Sequence, residues 1–218
     1  MLGALAIGGA AASLIASSLI GAHSAQVWPI GDVPPPSFTV GLVSVNGSGC
    51  PAGTAAVAVS PDDTAFTVSY SSYLAQTGGG AAPTDFRKNC QLDVRVNAPQ
   101  GLTYAIAEAD YRGYAYLASG ASAQERANYY FQGESQTSSA THSFSGPMDD
   151  DWQASDVTGI ASLVYAPCGE TRNLNINTQL NVTAGSSDPS STSFMTMDST
   201  DGSLTTIYHL DWATCPTS

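Results

Sequence analysis

The chain is 218 residues long, with 6 Lys+Arg against 18 Asp+Glu and a formal charge of −12. This length suits one large all-β domain, or at most two small ones, and is enough for a real core. Lys88 is the single lysine and Arg87-Lys88 the densest cationic stretch, which argues against nucleic acid or an anionic membrane as partner, because both demand clustered cations.

Residues 2–22 carry no charge and consist of Ala, Gly, Leu, Ile and Ser. The pattern predicts a secretory signal peptide over 1–25, with small residues Ala22, Ser24 and Ala25 near its cleavage point, although no Lys or Arg follows Met1 closely. A retained anchor is the alternative, since about 18–20 apolar residues can span a bilayer, but no basic stop-transfer flank follows. With the signal removed, no membrane-spanning run remains. Residues 26–36 form a proline-rich lead ending in Val33-Pro34-Pro35-Pro36, which cannot be helix or central strand.

From Ser37 to Cys215 the chain reads as strand, turn, strand. Phe38, Val40 and Leu42 open the series; Phe66, Val68 and Tyr70 alternate after the Ser60-Pro61-Asp62-Asp63 turn. Leu92, Val94 and Val96 alternate with Asp93, Arg95 and Asn97, giving one buried and one wet face. Leu102, Tyr104 and Ile106 share a face, Tyr129 pairs with Phe131, and Leu163 with Tyr165 leads into Pro167-Cys168-Gly169. The clearest strand is 173–183, where Leu174, Ile176, Leu180 and Val182 alternate with an Asn/Gln row. Phe194, Met195 and Met197 suggest a further strand, and Leu204, Ile207, Tyr208, Leu210 and Trp212 close the series. Stretches 75–83 and 184–192 read as loops, and 118–127 as a short helical turn or a strand link. The whole predicts an all-β fold, an antiparallel β-sandwich of about nine or ten strands in a single domain over 37–215.

Four cysteines lie beyond the signal: Cys50, Cys90, Cys168 and Cys215. An even count in an exported chain implies two disulfides, and three pairings are possible. Their order, one pair early and one late, favours Cys50–Cys90 and Cys168–Cys215, each worth roughly 4 kcal/mol in the chain-entropy model. No C-x-x-C or His-spaced pair supports a zinc site.

Candidate chemistry is sparse. Nucleophilic hydrolysis needs a base beside the nucleophile, yet only His142 and His209 follow the signal and no G-x-S-x-G elbow exists. Paired carboxylates for glycoside chemistry are available at Glu108 and Asp110, with Glu134, Glu170 and Asp211 as further candidates. Arg112 and Arg95 are expected to pair with the first two as a structural network. The run Asp149-Asp150-Asp151, with Asp156 nearby, reads as a solvated acidic loop; Ca²⁺ is the one cofactor it suggests, although three consecutive acids cannot all face one ion. Tyr111, Tyr114 and Tyr116 offer stacking rings for sugars or a partner surface, or else fill core and edge positions.

Several blocks together resemble the bacterial and fungal secreted proteins grouped as domain of unknown function 4360. They are Val45-Asn46-Gly47-Ser48-Gly49-Cys50-Pro51-Ala52-Gly53-Thr54, Pro83-Thr84-Asp85-Phe86-Arg87-Lys88-Asn89-Cys90, Asp110-Tyr111-Arg112-Gly113-Tyr114, Tyr165-Ala166-Pro167-Cys168-Gly169 and Ser193-Phe194-Met195-Thr196-Met197-Asp198-Ser199. The resemblance implies a secreted, β-rich, disulfide-bonded protein and carries no catalytic residue. The expectation is therefore a non-catalytic extracellular sandwich that binds carbohydrate or another cell-surface ligand. A carboxylate-dependent polysaccharide hydrolase or lyase, or a passive structural envelope protein, stands as the alternative.

Overall fold

The computed structural model describes residues 36–159, 162–197 and 205–216. The signal peptide expected over 1–25, most of the proline-rich lead, and the stretch from Asp198 to Leu204 lie outside the described residues. Twelve strands and no α-helix make up the described fold, so the class is as expected and the strand count somewhat higher.

The strands are β1 (Thr39–Asn46), β2 (Ala55–Val59), β3 (Ala65–Tyr70), β4 (Leu74–Thr77), β5 (Arg87–Asn97), β6 (Leu102–Leu117), β7 (Ser122–Phe131), β8 (Ser138–Ser145), β9 (Met148–Val157), β10 (Leu174–Thr183), β11 (Ser193–Thr196) and β12 (Thr206–Thr214). One sheet has the order β1-β5-β10-β7-β8, and the other β2-β3-β12-β6-β11-β4 with β9 also on β6. Every pairing is antiparallel.

The core forms where the inward rows of the two sheets meet. Leu92, Val94, Leu174, Ile176, Leu180, Val182 and Phe131 from one sheet, and Phe66, Val68, Tyr111, Tyr208 and Leu117 from the other, are all buried. Each large side chain so buried contributes roughly 1.5–3 kcal/mol. Aromatic edges lock the layers together: Tyr104 meets Phe131 at 5.5 Å and Tyr129 meets Tyr208 at 6.1 Å between ring centroids.

The sixteen-residue strand β6 organises the second sheet. β9 runs along Glu108–Leu117 on one side of it. The other side is shared, β12 pairing with Leu102–Asp110 and β11 with Ala115 and Tyr116. Ile106 pairs with Leu210 while Glu108 pairs with His209, so Ala107 is the extra residue of a bulge. The bulge flips the inward phase, placing Tyr104 before it and Ala109, Tyr111 and Leu117 after it in the same core.

Three expectations need correction, and of the two readings of 118–127 the strand link is the one that forms. Residues 118–127 contain a tight turn, closed by Ala121 N–H to Ala118 C=O at 2.9 Å, and then enter β7 rather than a helix. Leu163 and Tyr165 form no strand; their segment is held beside β6 by Ala166 N–H to Tyr104 C=O at 2.9 Å. The loop read over 75–83 begins as β4, and the acidic run read as a loop lies in β9.

The disulfides pair as expected, Cys50 with Cys90 and Cys168 with Cys215, with Cα–Cα separations of 5.3 and 5.8 Å. The first ties the segment after β1 into β5. The second joins the irregular segment before β10 to the end of β12.

Candidate ligand-binding face

Past the bulge, alternation turns Glu108, Asp110, Arg112, Tyr114 and Tyr116 to the outer face of β6, while Tyr111 points inward. Tyr111 is 0% exposed and packs on Tyr208, so it cannot touch a ligand, which corrects its place among the stacking tyrosines. Tyr116 is 42% exposed. Between its ring and that of Tyr114, on the neighbouring strand, stands Phe194. The Phe194 ring lies 5.9 Å from Tyr116 at 26° and 6.0 Å from Tyr114 at 33°. Three rings, tilted only moderately to one another, therefore share one outer patch.

The position of Phe194 follows from Gly113. A Cβ on Gly113 would meet the Thr196 carbonyl oxygen at 2.0 Å and Trp152 Nε1 at 2.7 Å. Without it, the Trp152 indole donates to that carbonyl at 2.9 Å, and the Tyr114 N–H donates to Thr196 Oγ1 at 3.1 Å. Ser193 Oγ accepts from the Ala118 N–H at 3.0 Å. Ser193, Met195 and Met197 face inward and are buried, which leaves Phe194 facing out. Two of the blocks that carried the resemblance thus meet here. Sequence reading missed Phe194 as a site residue; the signal was its position out of phase with the buried Ser193, Met195 and Met197.

The acidic run lies alongside the rings. Asp149 pairs in register with Tyr116 and Asp151 with Tyr114, so both acids share the outer face. Asp150 takes the opposite phase, and its carboxylate accepts from the Asp151 N–H at 2.8 Å. Asp149 accepts the Tyr114 hydroxyl proton. That bond raises the Tyr114 hydroxyl above its ordinary range, with desolvation and then the charges of Asp149, Asp151 and Asp150 adding to the effect. Among the described residues no three His, Cys, Asp or Glu side chains assemble as a metal set. Strand alternation separates Asp150 from its two neighbours, so the three carboxylates do not converge on one point. An acidic edge strand also discourages pairing with other chains.

The carboxylates at Glu108 and Asp110 share the outer face of β6 with Arg112, but not with Arg95. Asp110 accepts from the Ser155 hydroxyl and lies 3.1 Å from His209 Nε2. Arg95 sits on the other sheet and donates to Asn173 Oδ1 at 3.2 Å. Ser155 and His209 both bond to the aspartate rather than to each other, so the order of contacts is not that of a Ser-His-Asp relay, in which the histidine stands between serine and aspartate. His142 likewise pairs with an aspartate, Asp156, across the seam between β8 and β9.

Behind that seam lies a group no sequence motif flagged. Glu125 is 0% exposed, follows the inward phase of Ala123, Ala127 and Tyr129, and has no hydrogen-bond partner for either oxygen. Desolvation, with the charge of Asp156 second, pushes its carboxyl up to about 9. The Tyr129 hydroxyl donates to Asp156 at 3.1 Å. Glu125 itself is enclosed, whereas His142 at the seam is partly exposed. A separate cleft of about 380 Å³ beside β4 and β10 is lined by Gln76, Thr77, Pro83, Phe86 and Asn181, and none of the patch residues reaches it.

Comparison with known proteins places the chain. The family described as "Domain of unknown function (DUF4360)" matches residues 36–215. An "Uncharacterized secreted protein" of Arthroderma benhamiae is 38% identical over 173 residues, which is 79% of this chain and 70% of that protein.

Proposed function

The chain belongs to the DUF4360 family and is a secreted protein, and we propose that it acts as a non-catalytic extracellular sandwich that binds glycan through the Tyr114–Tyr116–Phe194 face. The carrying observation is an aromatic patch on the outer face of a sheet, with Tyr116 42% exposed. Aromatic rings stack on the apolar faces of sugars while neighbouring polar groups bond the hydroxyls, and a preorganised sheet loses little entropy on binding. Tyr114 and Tyr116, two residues apart on one strand, are spaced by about 7 Å, which suits contact with successive units of a chain.

Binding without turnover is the reading favoured over hydrolysis. Glu108 and Asp110 line none of the described clefts, and Asp110 is already engaged by Ser155 and His209. Depletion of the soluble protein by insoluble polysaccharides tests the proposal. The wild type is expected to be retained by at least one polymer without releasing reducing ends. Tyr116→Ala or Phe194→Ala should weaken retention about tenfold. Retention by no polymer, or equal retention of the ring variants, would refute it and favour a passive structural role.

A further inference from the structure

The charge around the aromatic patch narrows the class of glycan. Strands β6, β9 and β11 carry six carboxylates, Glu108, Asp110, Asp149, Asp150, Asp151 and Asp156, against one guanidinium, Arg112. The other described lysine and arginine side chains lie elsewhere: Arg87, Lys88, Arg95 and Arg126 on β5 and β7 of the opposite sheet, and Arg172 against Glu170; His209 and His142 stand against Asp110 and Asp156. Among the described residues none of the four ion pairs involves Asp149, Asp150 or Asp151, and all three are exposed.

Geometry joins this charge to the rings. Directly opposed side chains in an antiparallel pair have Cβ atoms about 4.5–5.5 Å apart. The register therefore sets Asp149 beside the Tyr116 ring and Asp151 beside the Tyr114 ring. The Asp149 bond to the Tyr114 hydroxyl fixes that carboxylate at the rim of the patch. A sugar stacked on either ring has a carboxylate within reach of its substituents. A neutral hydroxyl there gains one ordinary hydrogen bond; an ammonium gains a charge-assisted one and a cation–π contact with the same ring. An anionic uronate is repelled.

We infer that the glycan taken by this face is a polymer of amino sugars bearing free, protonated amino groups. The inference rests on the glycan-binding reading above and adds the selecting charge. Preference for the charged polymer comes from two exposed carboxylates and one cation–π contact, together about tenfold over the N-acetylated equivalent.

Titration calorimetry with glucosamine oligomers and with N-acetylglucosamine oligomers of equal length, at mildly acid pH, tests this. The wild type should bind the free-amine oligomer about tenfold more tightly, with the advantage shrinking as salt is added. The double variant Asp149→Asn, Asp151→Asn should lose the preference while retaining weak binding to both; near-ultraviolet circular dichroism checks that its fold is intact. Equal binding of the two oligomers by the wild type, or an undiminished preference in the double variant, would overturn the inference. If that equal binding is still abolished by Tyr116→Ala, the aromatic face stands as a glycan site and only the amino-sugar selection falls. If neither oligomer nor any other polysaccharide binds, both readings fall together.

Discussion

At Glu125 the fold places a carboxyl among Ala123, Ala127 and Leu180 with no partner for either oxygen. Its proton is held to about 9, against an ordinary value of 4.5. Between these values the folded chain binds a proton that the unfolded chain has released. Glu125 therefore supports the fold fully below about 4.5, and its contribution declines as pH rises toward about 9. Glu125→Gln removes this titration. Urea unfolding at about pH 5 and about pH 8 should show the variant gaining on the wild type at the higher pH, by a few kcal/mol. A constant difference between the two pH values would contradict the assignment. Gly113 makes a different demand, for space: Gly113→Ala drives a methyl into the Thr196 carbonyl and should destabilise the protein by about 1–3 kcal/mol. Because Thr196 anchors β11, the variant should also lose glycan retention through displaced Phe194, detectable as altered amide shifts at 193–196. Unaltered shifts with full retention would show that the approach of β11 does not depend on Gly113.

The strands legible in the sequence were those with apolar alternation. β3, β5, β10 and the inner row of β12 announce themselves because every second side chain is large and apolar, and burial supplies the stabilisation. β8 and β9 gave no such signal. β8, Ser138–Ser145, sits at a sheet edge where small and polar residues suffice, and its one large apolar side chain, Phe144, packs on Trp152 at 5.3 Å. β9 carries three consecutive aspartates after Met148 that sequence logic assigns to a loop, yet an edge strand tolerates charge on both faces. The bulge at Ala107 reverses the phase of β6, so alternation counted from Leu102 assigns Tyr114 and Tyr116 to the core and Tyr111 to the outer face, the opposite of the arrangement that forms. The disulfides were legible from order alone, and the second one makes a local prediction. Cys168–Cys215 ties the end of β12, where Cys215 N–H also donates to Gly101 C=O at 2.8 Å. Replacing both cysteines by Ser should lower stability by roughly 2–5 kcal/mol and should release hydrogen-exchange protection in β12 before β10. Equal loss in both strands, or loss in neither, would contradict that local role.

Across the whole molecule the two outer faces differ in kind. The outer row of the first sheet is amide and arginine, with Asn175, Asn177, Gln179 and Asn181 of β10 flanked by Arg87 and Arg126 on adjacent strands. The second sheet carries rings and carboxylates. With a charge of −12, the protein as a whole repels anionic surfaces, and the division of the remaining charge directs any cationic glycan to the second sheet. No element of the binding face is a long loop; its rings stand on β6 and β11, braced by β9, so binding needs no large rearrangement. Backbone amide chemical shifts, followed while a soluble glycan oligomer is titrated into the isotope-labelled protein, test this account most directly. The expected result is a contiguous set of changes along 112–117, 149–153 and 193–196, with the amides of β5 and β10 unmoved. Changes centred on the Phe86 cleft or on the outer row of β10, with those three segments silent, would contradict it.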